Sequence, residues 1–164
     1  MDRLWAPWRK AYIRPEGRRK RGCLFCRLAK QKPTLQNYIL KKTPFSFAVL
    51  NLYPYNNGHV MIVPRRHGDT LDALSEREKL DWLALYGQVL GAMKKTLRPH
   101  GFNVGMNLGR AAGAGIPHHL HLHVVPRWQG DSNFMPVLGG SKVISESLKS
   151  TYRLLTRELQ RRIS

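Results

Sequence analysis

Hydrophobic and polar positions change period several times along the chain. Residues 46–52, "SFAVLNL", are an apolar, β-prone run. Turn chemistry follows in "YPYNNG", and His59–Val63 returns as a second run, which predicts a β-hairpin. From Ser75 the pattern becomes helical: Leu80, Leu83, Leu90, Met93 and Leu97 recur near the helical period. Ser75 is a suitable N-cap, and Glu78 three residues on completes a capping box. Pro99 and Gly101 end the pattern, so a helix is expected over 75–97. Residues 102–108 predict another strand, and "GRAAGAG" is a small-residue loop. His119–Val125 alternates strictly and predicts a strand. Residues 145–162 predict a terminal helix within a basic C-terminal segment, 145–164. No internal repeat is present. Strands and helices are segregated rather than strictly alternating, which predicts α+β rather than a doubly wound sheet.

The length, 164 residues, fits a single domain over 1–164 with a real core. An apolar fraction of 42%, with four Trp, six Tyr and five Phe, excludes a disordered chain. No apolar run approaches the roughly 20 residues that span a bilayer, so no membrane partner is expected. The N-terminus lacks the apolar centre of a secretory signal, and a cytoplasmic location is expected. Charge changes the picture more. Twenty-eight Lys and Arg face ten Asp and Glu, a formal +18. Much of it lies in two segments: an N-terminal arm, 1–21, that also carries Trp5 and Trp8, and the terminal "RLLTRELQRRIS". The plain reading is solvated tail charge. The sharper one is attraction to polyanions: nucleotides, nucleic acid or acidic surfaces.

Candidate chemistry concentrates in "GIPHHLHLHVVPRW", residues 115–128, which holds four of the seven histidines. Residues two apart in a strand share a face. His119, His121 and His123 therefore line one face, and Leu120, Leu122 and Val124 the other. The three histidines span about 13 Å at ~3.3 Å per residue, too far to ligate one metal together, so a division of labour is expected. Cys23 and Cys26, in "GCLFC", form either a metal half-site or a redox pair. A redox pair belongs at a helix start after a strand in a βαβ unit, which the pattern does not show. A half-site needs two more ligands, for which histidine is the natural complement. Spacing alone does not choose among His59, His67, His100, His118, His119, His121 and His123.

His119-Leu-His121-Leu-His123-Val-Val resembles the signature of the histidine triad superfamily. The likeness extends to "MDRLWAPWR", "GCLFC", "NLYPYNNGHVMIVPRRH", "GMNLGR", "GAGIPHHLHLHVVPRW" and "GDSNFMPV", in the order of the prokaryotic branch that includes diadenosine tetraphosphate phosphorylases. The resemblance covers roughly residues 1–155. It implies a five-stranded antiparallel sheet, the long helix packed across it, and a homodimer meeting through the strand and helix near 75–110. His121 would be the nucleophile that forms a covalent nucleotidyl-imidazole. His123 would orient His121 or the phosphate, and His59 would complete the site from the adjacent strand. His119, the first triad histidine, belongs to the catalytic set and to a structural zinc site with Cys23, Cys26 and His67. No organic cofactor is implied.

For nucleotide binding, Asn51 matches the position that holds the ribose hydroxyls, and Asn107 the one at the phosphates or leaving group. Gly113, Ala114 and Gly115 would let backbone N–H groups approach a phosphate. Phe25, Leu28, Leu50, Leu52 and Met61 lie on segments that wall the base pocket in relatives, against a plain reading as core. Trp128 and "GDSNFMPV" are candidates for the second nucleoside or the dimer contact. His118 receives no role.

The resemblance thus implies an enzyme that cleaves dinucleoside polyphosphates. Hydrolase members usually carry Gln or Ser shortly before the triad, where this chain has Gly115-Ile116-Pro117-His118; some phosphorolytic relatives have Gln where Leu122 stands. Phosphorolysis and hydrolysis both stay open. The alternatives are a general nucleotide hydrolase acting on phosphoramidates or diadenosine polyphosphates, a DNA-adenylate hydrolase of the aprataxin-like branch, and a nucleotide-binding regulator with little turnover.

Overall fold

A computed structural model describes residues 22–131 and 146–161. The arm 1–21, residues 132–145, which hold most of "GDSNFMPV", and residues 162–164 fall outside the described residues. Among the described residues, three helices, α1 (Leu24–Lys30), α2 (Glu76–Leu97) and α3 (Leu148–Arg161), accompany five strands. These are β1 (Ile39–Lys42), β2 (Ser46–Leu50), β3 (Val60–Pro64), β4 (Gly101–Gly105) and β5 (Leu122–Arg127). The strands form one antiparallel sheet in the order β1-β2-β3-β5-β4. The α+β class and the five-stranded sheet agree with expectation.

Strand parity divides the core in two. Leu40, Ala48, Leu50, Val60, Ile62, Leu122 and Val124 face α2 and α3 in the larger cluster. Ile39, Phe47, Val49 and Val63 face the other way and pack with Phe25 and Ala29 of α1. The triad histidines lie on this second side, because each is offset by one residue from an apolar neighbour that enters the larger cluster.

Several boundaries differ from the pattern reading. The triad strand begins at Leu122 and runs to Arg127, so His119 and His121 precede it. The strand expected over 102–108 is Gly101–Gly105. Strand β1 and helix α1 have no periodic signal, being four and seven residues long. Helix α2 has the expected cap: Ser75 Oγ accepts from the Glu78 N–H, and the Glu78 carboxylate accepts from the Ser75 N–H at 2.8 Å. Its core stripe, however, is Trp82, Leu85, Val89, Ala92 and Met93. Leu80 and Leu83 are 67% and 55% exposed. The helix carries two apolar stripes, and the one led by Trp82, whose indole donates to the Ile62 carbonyl at 3.0 Å, meets the sheet.

Two local devices hold the site segments in place. Arg66 reaches both Glu78 carboxylate oxygens at 2.8 and 2.9 Å, tying the segment that bears His67 to the start of α2. The Ser75 backbone bond, then Arg66 and the Ser75 hydroxyl, hold the buried Glu78 carboxyl below its usual range. The turn between β2 and β3 is pinned by Asn56, whose amide donates to the Pro126 carbonyl at 3.0 Å and to Asp131 at 2.7 Å. Gly58 closes that turn with φ +72, and a Cβ there would meet Leu97 Cδ1 at 2.6 Å.

Candidate active site

His59, His119, His121 and His123 are buried, and their partners assign their tautomers. The Tyr55 N–H can only donate, and it reaches His59 Nδ1 at 3.1 Å. Neutral His59 therefore carries its proton on Nε2, which meets His123 Nδ1 at 2.9 Å. His123 is left with its proton on Nε2. The Asn51 amide nitrogen also lies 3.3 Å from His59 Nδ1, and its carbonyl accepts from the Tyr53 N–H at 3.0 Å. Burial, with His123 and His121 nearby, pushes the His59 imidazole down to about 3. His59 is thus a neutral link in a chain running from Tyr55 to His123.

His121 is set differently. Its Nδ1 lies 2.8 Å from the His119 carbonyl, which can only accept, so Nδ1 carries the proton and Nε2 the lone pair. Burial lowers the His121 pKa, against the opposing effect of that bond. A buried, neutral imidazole with one ring nitrogen anchored to the backbone is poised to act as a nucleophile through the other.

His119 faces a separate cluster. Its Nε2 donates to the Pro64 carbonyl at 2.8 Å, leaving the Nδ1 lone pair directed at the cysteines. Nδ1 lies 3.3 Å from Cys23 Sγ, 3.6 Å from Cys26 Sγ and 3.3 Å from His67 Nδ1. Cys26 Sγ is 3.3 Å from His67 Nδ1, and all four donors fall within 4.8 Å of one another. One lone pair cannot satisfy three such neighbours by hydrogen bonding, so these four atoms could hold a metal ion. A tetrahedron with Zn–S of ~2.3 Å and Zn–N of ~2.0–2.1 Å has edges of about 3.3–3.8 Å, which the separations of 3.3, 3.6, 3.3 and 3.3 Å that involve His119 or join Cys26 to His67 match. The carbonyl bond on the far ring nitrogen of His119 is the usual support of a metal-ligating imidazole. The cysteines open a helix, with Cys23 as the N-cap of α1.

Beside His121 and His123 lies a cavity of about 220 Å³. Asn51, Leu52, Tyr53, Pro54 and Tyr55 form one wall; Asn107, Gly113 and Gly115 form another. The Tyr55 ring stacks near His59 and His123, with centroids 4.6 and 5.7 Å away.

A family profile described as the HIT domain matches residues 32–130. The chain belongs to the HIT domain family. It is 40% identical to the AP-4-A phosphorylase of Mycobacterium tuberculosis, across 98% of this chain and 86% of that one. It is 31% identical to an adenosine 5'-monophosphoramidase of Schizosaccharomyces pombe, across 65% of this chain and 74% of that one. Among solved structures, a Zn-bound histidine triad family protein from Mycobacterium smegmatis superposes with a TM-score of 0.69 at 24% identity. That superposition covers 87% of this chain and 96% of the other.

Against this HIT fold, the expected site residues separate. Asn51, Leu52, Asn107, Gly113, Gly115, His121 and His123 meet at the cavity, with His59 directly behind His123. Cys23, Cys26, His67 and His119 meet at the second cluster. Ala114 does not line the cavity, and the Gly113 N–H is donated to the Arg110 carbonyl at 3.0 Å rather than presented to it. Leu50 points to the α2 side by strand parity and sits in the larger core. Phe25 is fully buried beneath the histidines, 5.4 Å from His119 and 5.1 Å from His121. Leu28 and Met61 pack on the smaller core cluster. Trp128 does not line the cavity; its indole donates to the Leu97 carbonyl at 3.3 Å. The sequence pattern marks Tyr53, Pro54 and Tyr55 only as a turn. Two large aromatics placed in turn chemistry were the signal that could have found them. Among the described residues, no helix is long and apolar enough to cross a membrane.

Proposed function

We propose that this chain cleaves dinucleoside polyphosphates by nucleotidyl transfer through His121, with inorganic phosphate as the final acceptor. The observation that carries the reaction type is the pair of fixed tautomers beside the cavity: a lone pair on His121 Nε2 and a proton on His123 Nε2. His121 Nε2 attacks the α-phosphorus, and the bond to the bridging oxygen breaks as the shortened polyphosphate leaves. The His123 N–H donates to a phosphate oxygen on which charge grows, with its orientation set through His59 and Tyr55. A phosphate oxygen then attacks the phosphorus and returns the electron pair to His121. Asn51 and Asn107 provide polar contacts for ribose and phosphate, and Leu52, Tyr53 and Tyr55 an apolar wall for the base. The 40% identity to a phosphorylase across nearly the whole chain supports phosphate over water as acceptor.

Product analysis with diadenosine tetraphosphate tests this reading. ADP and ATP in equal amounts are expected when phosphate is present. AMP and ATP at saturating phosphate would make water the acceptor. Two ADP would place cleavage away from the α-phosphorus and overturn the His121 mechanism.

The four-donor cluster suits a structural zinc ion, which would be held by Cys23, Cys26, His67 and His119 and would hold α1 against the triad segment. The location is cytoplasmic and the assembly a homodimer. Among the described residues, strand β4 is a sheet edge with Val104 exposed, and Leu80 and Leu83 form an exposed stripe on α2. Unpaired edges and apolar stripes of this kind are normally covered. Light scattering at micromolar concentration should give twice the chain mass; a monomer would remove the dimer from this account.

A further inference from the structure

Helix α3 carries Lys149, Arg153, Arg157 and Arg161 at intervals of four residues. All four are exposed. Residues four apart rise about 6 Å and drift by only ~40° around a helix. The four therefore form one slowly winding basic stripe about 18 Å long. The stripe is held outward because Tyr152, Leu155 and Leu159 on the opposite side are buried in the larger core.

The acid on this helix does not neutralise the stripe. Glu158 is 4% exposed and pairs with Lys95 of α2 at 2.9 Å. Among the described residues, none of the four stripe cations is in an ion pair. Like charges at i,i+4 weaken a helix, so the fold gains nothing from this arrangement. An external row of anions would supply the missing partners.

We infer that the exposed face of α3 binds the phosphate backbone of double-stranded nucleic acid without reading its sequence. Charge complementarity selects a polyanion, and the rest of the surface narrows the class. The exposed large apolar residue of α3 is Leu154, at 38%, and no aromatic ring of the helix is exposed. Single strands are gripped largely by base stacking, which this face does not offer. A membrane-surface helix needs an apolar face to insert, and that of α3 is already spent on the core. Backbone contact by Lys and Arg needs neither feature. The stripe lies in the helical layer, across the sheet from the histidines, so a bound duplex leaves the catalytic cavity open.

Fluorescence anisotropy of the full chain tests this, with two unrelated duplexes of about 24 base pairs titrated between roughly 50 and 200 mM salt. Equal affinity for both sequences is expected. Four phosphate contacts give a log–log salt slope near −3.6, at about −0.9 per contact. The variant R153Q/R157Q/R161Q should bind at least about ten-fold more weakly at 0.1 M salt, with a slope shallower by about 2.7. Its cleavage of diadenosine tetraphosphate should be unchanged. Should the triple variant lose that activity, K149Q/R153Q and R157Q/R161Q are read in the same way, each with about half the full slope. Unchanged affinity and slope in these variants would overturn the inference, as would no binding at the lowest salt or a clear preference for one sequence. Loss of binding to phosphatidylserine vesicles with duplex binding retained would assign the face to membranes instead.

Discussion

Replacing His121 by asparagine is expected to leave a folded, nucleotide-binding protein whose turnover is lower by about three orders of magnitude or more. The size follows from what is removed. His121 Nε2 carries the lone pair because Nδ1 is committed to the His119 carbonyl. Asparagine offers no comparable nucleophile, so the two-step route is lost rather than one contact within it. The fold should tolerate the change, since asparagine is smaller and polar and the four metal donors are untouched. Affinity for a non-cleavable nucleotide should change little, because Asn51, Asn107 and the Leu52–Tyr55 wall remain. In the wild type, a quench that avoids acid should trap one nucleotidyl group on the peptide bearing His121, since phosphoramidates are acid-labile. An adduct on His123 would reverse the roles drawn from the tautomers. Near-normal turnover in the variant would defeat the enzymatic reading itself and leave a nucleotide-binding protein.

The chemistry of this chain could be read ahead of its architecture, and strand parity explains why. Alternation of His and Leu puts the imidazoles on one side whether or not the segment is hydrogen-bonded as a strand. His119, at a bend, and His121 precede the hydrogen-bonded strand, yet both rings pack on Phe25, the side on which a strand would place them. Parity also contained a warning about Leu50: it shares its side of β2 with Ala48, and Phe47 and Val49 take the side of the histidines. Elements too short to show a period, β1 and α1, were invisible to pattern. On α2 the period was found and the face was not, because Leu80 and Leu83 repeat as regularly as Trp82 and Leu85. Which stripe meets the sheet is decided by tertiary contact, here the Trp82 indole on the Ile62 carbonyl. The role of Tyr55 lay further out of reach. Its contribution to the His59 tautomer comes from a backbone N–H, which side-chain chemistry does not advertise.

Removing the metal should destabilise the protein and then disturb catalysis at a distance. Protein purified without chelators should contain about one zinc per chain, and Cys23→Ser should lose it. Ligand binding stabilises the folded state by RT ln(1 + [L]/Kd), about 4 kcal/mol at a thousand-fold excess over Kd. For a chain of this size, ~1 kcal/mol moves Tm by ~2–4 °C, so a fall of about 8–16 °C is expected on stripping the metal under reducing conditions. Activity should fall by less than in the His121 variant, because the nucleophile survives. The path of that effect is short. Cys23 caps α1, and Phe25 of α1 packs at 5.1 Å against the His121 ring. The carbonyl that fixes the His121 tautomer belongs to His119, itself a donor of the cluster. Loosening the cluster therefore frees both the floor and the hydrogen bond that hold His121 in its nucleophilic form. Zinc added back to stripped wild type should restore Tm and turnover together, and should restore neither in Cys23→Ser. A metal-free wild type whose Tm does not respond to zinc would refute the site, whatever its activity.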